Sequence, residues 1–110
     1  MKRGDVFTVA DKRGGDYSGK PRPAVIVQSD HFDALHSATI CPITSTDADA
    51  PLFRVRVEPR ETLALDRRSW IEVDKITTVR KARLRDHLGR LAAEEGVALD
   101  RALAVFLGIA

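Results

Sequence analysis

The stretch Gly19-Lys20-Pro21-Arg22-Pro23-Ala24-Val25-Ile26-Val27 restricts the fold more than any other part of the chain. Each proline fixes its own φ and drives the residue before it out of the helical region, so Lys20 and Arg22 belong to extended backbone. The apolar, largely β-branched run that follows is a strand in composition and length. Arg22, clamped between two prolines, is thereby presented at a stiff strand entrance.

Other segments repeat the extended theme. Val6-Phe7-Thr8-Val9-Ala10 is a short strand, and the loop from Asp11 to Gly19, with three glycines and Tyr17, leads into the proline stretch. Ser29-Asp30-His31-Phe32-Asp33 has the form of a capped helical turn, which puts His31 and His36 on the surface. Ala38 to Ile43 is apolar, and Pro42 marks a sheet edge or a strand exit. Thr44-Ser45-Thr46 follows it at once, with hydroxyls suited either to polar chemistry or to local turn bonding.

Two later segments alternate with period two. Phe53, Val55 and Val57 are expected to face a core and Arg54 and Arg56 water; Ile71 and Val73 then oppose Trp70, Glu72 and Asp74. A structural salt link to nearby arginines is the commoner reason for two carboxylates on one strand face, and acid–base chemistry the rarer. Ile76 to Arg83 is another extended segment. The period then changes. Leu99, Ala102, Leu103 and Phe106 define the apolar face of a helix from about Ala93 to Leu107, with Glu94 and Glu95 at its positive end, Arg101 on the wet side and Gly108 as terminator. The fold expected is mainly β with a C-terminal helix: five or more short antiparallel strands, closed or nearly closed into a small barrel, in a single domain spanning 1–110.

Charge is uneven, although the net formal charge is only +2. From Lys75 through Arg80, Lys81, Arg83, Arg85 and Arg90 the only acid is Asp86, which predicts a local basic surface and an anionic partner. The single cysteine, Cys41, lies in an apolar run, so no intrachain disulfide forms and a reducing cytoplasm is the natural compartment. No signal-type segment and no membrane-length apolar run is present, and neither histidine near residue 31 has a second ligand at metal-site spacing.

Taken in order, Lys2-Arg3-Gly4-Asp5-Val6, the Gly19–Val27 stretch, Pro42-Ile43-Thr44-Ser45 and Val73-Asp74-Lys75-Ile76-Thr77-Thr78-Val79 resemble the successive signatures of the PemK/MazF family of toxin endoribonucleases. The likeness extends to the terminal Val105-Phe106-Leu107-Gly108-Ile109. The resemblance implies a small SH3-like barrel and the toxin of a type II toxin–antitoxin pair. It further implies a homodimeric, cytoplasmic, cofactor- and metal-independent ribonuclease that cuts single-stranded RNA at short sequences and is held in check by a cognate antitoxin. By the same resemblance Arg22 and Thr44 carry cleavage. Asp74 is carried over as a further site residue, although Lys75 stands where the family commonly has glutamine, and Glu72 receives no catalytic role. Lys20, Lys75 and Arg80 are expected at RNA phosphates on charge and proximity to the motifs.

Two other classes compete. A CcdB-like toxin shares the fold but binds DNA gyrase without catalysis and does not need the Arg22 and Thr44 pair. A basic barrel that binds RNA without cutting it leaves the proline-clamped arginine unexplained.

Overall fold

The computed structural model describes residues 1–10, 21–46 and 52–110, so the loop expectation for the stretch before Pro21, with Lys20 and Tyr17, lies outside the described residues. Among the described residues seven strands precede one helix: β1 (Asp5–Val9), β2 (Arg22–Ile26), β3 (Ser37–Thr44), β4 (Arg54–Val57), β5 (Ser69–Glu72), β6 (Thr77–Arg80), β7 (Leu84–Arg90) and α1 (Ala93–Phe106). All pairings are antiparallel and follow the order β4-β5-β3-β2-β1-β7, with β6 also on β3. The sheet is open rather than closed. Its ends are drawn together by an isolated bridge from the buried Leu63 to Gly89 of β7, beside a hydrogen bond from the Ala64 amide to the Leu88 carbonyl.

Pro42 is neither at an edge nor at an exit but inside β3, paired with Ala24. On its other flank β3 pairs with β6 up to Ile40 and with β5 from Ile43. A residue with no N–H thus falls in the interval between two partners, where a missing donor disturbs the ladder least. Strand β7 had no β-branched run to announce it; its polar sequence is extended because it pairs with β1 across a bulged register.

The sheet buries apolar residues on both faces. The inner face packs Val6, Val25, Cys41, Ile43, Val55 and Ile71 under Leu99, Ala102 and Leu103 of α1. The outer face gathers Val9, Ala24, Ile26, Ala38, Ile40 and Val79. Burial pushes the Cys41 thiol up to about 12, which keeps it protonated and inert at neutral pH. Phe106 departs from expectation: α1 packs on β4 and the 73–75 turn, and its last turn runs past them, so Phe106 is 44% exposed beside the exposed Val105, Leu107 and Ile109. Gly108, at φ +76°, ends the helix in left-handed backbone. Among the described residues no helix is long and apolar enough to cross a membrane.

Two carboxylates tie distant segments together. Asp5 accepts from the Lys2 amide at 2.8 Å and from Arg90 Nη1 at 2.5 Å, with His87 Nε2 at 3.6 Å. Glu95 pairs with Arg60 and accepts from the amides of Ala92 (2.8 Å) and Glu58 (3.1 Å). Burial pulls both carboxyls upward, but hydrogen bonds and the facing cations outweigh it and hold both below the ordinary carboxylate range. A depressed folded-state pKa stabilises above the unfolded value, and that stability is lost as pH falls through the folded value. The melting temperature should therefore be flat near neutrality and fall below about pH 5 as the unfolded carboxylates begin to take up protons. Melting curves from pH 8 to 3 check this, and Glu95→Gln should flatten the acid limb.

Candidate active site

Arg22 opens β2 and Thr44 closes β3, so both stand at the same end of one antiparallel pair. The ladder matches Ala24 with Pro42, Val25 with Cys41 and Ile26 with Ile40. Extending that register by two residues sets Arg22 opposite Thr44, on the face that carries Ala24 and Pro42. Residues so opposed have Cβ atoms roughly 5 Å apart while the ladder holds. Arg22 and Thr44 also line one cleft, of about 350 Å³, with Ser45, Asp66, Arg67 and Ser69 among its walls.

The Thr44 hydroxyl is already oriented. Its oxygen accepts from the Thr46 amide at 3.1 Å, which leaves the O–H free to donate. Beside it the Arg22 side chain is exposed at the mouth. A guanidinium and a hydroxyl donor, in a cleft whose exposed lining is mostly polar, suit a phosphodiester: the fork matches two non-bridging oxygens, and the hydroxyl supplies a further hydrogen bond.

Asp74 is not part of this cleft. Strand β5 runs antiparallel to β3 from Trp70 opposite Thr44, so each step toward Asp74 moves back along β3, away from Thr44. There Asp74 lies in the 73–75 turn, 3.3 Å from Arg54 Nε. Arg54 also meets Glu72 at 3.2 Å, its register partner across β4 and β5. The salt link expected for these two carboxylates is thus present. Of the two arginines on β4, only Arg56 faces water, beside Glu58; Arg54 is largely enclosed by its ion pairs.

Lys75 is exposed and 3.4 Å from Glu72, which offsets its charge, and Arg80 is exposed at the end of β6. Neither lines the Arg22–Thr44 cleft, and Lys20 lies outside the described residues. His31 and His36 are exposed, and Ser29 caps the turn at 30–32, as expected. Asp66 and Arg67 went unnoticed in the sequence because they lie in a connector, and Ser69 because it is the first residue of β5. The signal for them was the pairing itself, since a strand antiparallel to β3 must begin beside Thr44. Among the described residues no three His, Cys, Asp or Glu side chains are grouped to hold a metal ion.

Residues 2–107 match the family model described as PemK-like, MazF-like toxin of type II toxin-antitoxin system. A probable endoribonuclease MazF of Mycolicibacterium smegmatis is 50% identical over 110 residues, covering 100% of this chain and 99% of its own. Endoribonuclease MazF9 of Mycobacterium tuberculosis is 30% identical over 117 residues, covering 99% of this chain and 98% of its own. In fold, the chain is similar to a mycobacterial endoribonuclease solved in complex with its cognate antitoxin (TM-score 0.80, 23% identity, 100% and 97% of the two chains). It is also similar to a MazE-MazF structure from Deinococcus radiodurans (TM-score 0.79, 18% identity, 100% and 97%). The curated relatives are endoribonucleases, which leaves the gyrase-binding reading without support. With the family model spanning nearly the whole chain and a relative half identical from end to end, the chain belongs to the PemK-like, MazF-like toxins of type II toxin–antitoxin systems and is a MazF-like endoribonuclease.

Proposed function

We propose that this toxin cuts single-stranded RNA at short sequences in the cleft between Arg22 and Thr44, without a metal ion, using the RNA's own 2′ hydroxyl. The observation that carries this reading is the register that opposes a proline-clamped guanidinium and an oriented hydroxyl donor across one ladder. The 2′ oxygen bonds to the adjacent phosphorus as its proton leaves, and the bond from phosphorus to the 5′ oxygen breaks as that oxygen takes up a proton. Negative charge grows on the non-bridging oxygens in between. Arg22 stabilises it bidentately, and Thr44 donates to one of the same oxygens. Mixed-sequence RNA incubated in EDTA should give fragments ending in 2′,3′-cyclic or 3′ phosphates and 5′ hydroxyls. RNA left intact by the folded protein under those conditions would sink the reading.

The assembly follows the same family. The toxin works as a cytoplasmic homodimer, with its single domain inhibited by a partly disordered, acidic cognate antitoxin bound over basic surface. The exposed Phe106, Leu107 and Ile109 are an apolar patch of the kind that marks an interface and support a second copy as its cover. Sedimentation velocity at micromolar concentration should give a dimer, and Phe106→Asp should shift it toward monomer.

A further inference from the structure

Cleavage by the 2′ hydroxyl needs a group that takes up its proton, and neither Arg22 nor Thr44 is suited to that. A guanidinium stays protonated in proteins and has no acceptor, and a neutral hydroxyl is a weak base. The described lining of their cleft consists of apolar side chains, hydroxyls, the guanidiniums of Arg22 and Arg67, and the carboxylate of Asp66; no histidine and no second carboxylate is among it. At about 350 Å³ the cleft is small enough for groups on facing walls to reach one ribose and its phosphate.

The connector that carries Asp66 is pinned on both sides. Upstream, the fully buried Leu63 bridges to Gly89, and the Ala64 amide donates to the Leu88 carbonyl at 2.8 Å. Leu65 packs on the inner core while also lining the cleft. Downstream, the buried Ser69 pairs with Val57 as β5 begins, and its hydroxyl donates to the Arg67 carbonyl at 2.9 Å. Trp70 then stands opposite Thr44, so the connector reaches the cleft from the strand beside it. Glu72 and Asp74 are engaged by Arg54, whereas the exposed Asp66 enters no ion pair among the described residues. The charged groups described around it in the cleft are Arg22 on β2 and Arg67 beside it on the connector.

Resting on the cleavage reading above, we propose that Asp66 is the general base of the reaction. Its carboxylate accepts the 2′ hydroxyl proton as the 2′ oxygen bonds to phosphorus. The bond from phosphorus to the 5′ oxygen breaks, and that oxygen takes a proton from water. The hydroxide left behind removes the proton from Asp66 and restores the carboxylate. Arg22 and Thr44 remain on the non-bridging oxygens throughout, so charge stabilisation and proton transfer fall to opposite walls of one cleft.

The test is the single-turnover rate of RNA cleavage in EDTA, with protein in excess, followed from pH 6 to 9. Asp66→Asn keeps the size of an exposed side chain and removes the proton acceptor; at pH 7 it should be at least about a hundredfold slower than the wild type. Hydroxide then replaces the missing base, so the gap should narrow by about tenfold for each unit of pH. Asp66→Ala, which opens room at the same wall, should regain rate in proportion to added formate, to which the wild type should not respond. A variant within about threefold of the wild type, or a loss that is constant across the pH range and unmoved by formate, overturns Asp66 as the base while leaving cleavage at Arg22 and Thr44 in place. A wild type that cuts no RNA overturns both.

Discussion

Arg22→Ala is expected to lower kcat/KM for RNA cleavage by about a hundred- to a thousandfold, the range found when one donor to a developing anion is removed. The protein should stay folded, because the Arg22 side chain is exposed and the strand it opens is held by Pro23 through Ile26. Arg22→Lys separates charge from geometry. The ammonium keeps the positive charge but not the planar fork, so activity should fall to an intermediate level. Asp74→Asn is the informative contrast. It weakens a half-buried contact with Arg54 and should lower stability by about 1 kcal/mol, yet cleavage should change less than about threefold because Asp74 lies along β3 from Thr44. Full cleavage by folded Arg22→Ala would move the active centre elsewhere, and a large loss of kcat in Asp74→Asn at unchanged stability would restore Asp74 to it.

The features legible in the sequence were those written in local covalent constraint or in clean periodicity. Pro21 and Pro23 announce the entrance of β2, the alternation at Val55 and Val57 announces β4, and the spacing of Leu99, Ala102 and Leu103 announces α1. What escaped was decided by partners rather than by propensity. Leu84-Arg85-Asp86-His87-Leu88 becomes a strand only because β1 offers it a ladder. Phe106 has the right period to be buried, but nothing in its own sequence says where β4 stops beneath it.

The site divides along the same line. Arg22 and Thr44 were visible as strand ends, but that they share one end of one pair is a fact of register, fixed by which residues of β2 and β3 must reach the inner core together. Asp74 shows the converse. Its neighbour Lys75 departs from the glutamine common in the family, and the chain also places Arg54 opposite Glu72 and within ion-pair distance of Asp74. Motif order alone does not report that contact; cross-strand register does.

The largest stability effect should come from Gly89→Ala. Gly89 has φ +137°, and a Cβ built there would lie 2.0 Å from the Thr62 carbonyl oxygen and 2.9 Å from Leu63 Cα. Both obstacles are backbone, and Leu63 beside them is fully buried, so relief requires moving the 60–65 connector away from β7. Left-handed strain and lost packing together should lower stability by about 3 kcal/mol, or roughly 10–15 °C in melting temperature. Gly96→Ala supplies the opposite sign: it lies inside α1 with nothing within 4 Å of the added methyl, and should stabilise by about 1 kcal/mol. Because the same connector continues into Asp66 and Arg67, which line the cleft with Arg22 and Thr44, Gly89→Ala should also raise KM at temperatures where the variant is still folded. Thermal melts paired with cleavage kinetics at 20 °C check both effects. A Gly89→Ala protein that melts with the wild type would mean that Thr62 and Leu63 do not close against β7, and the cleft wall they support would lose its anchor.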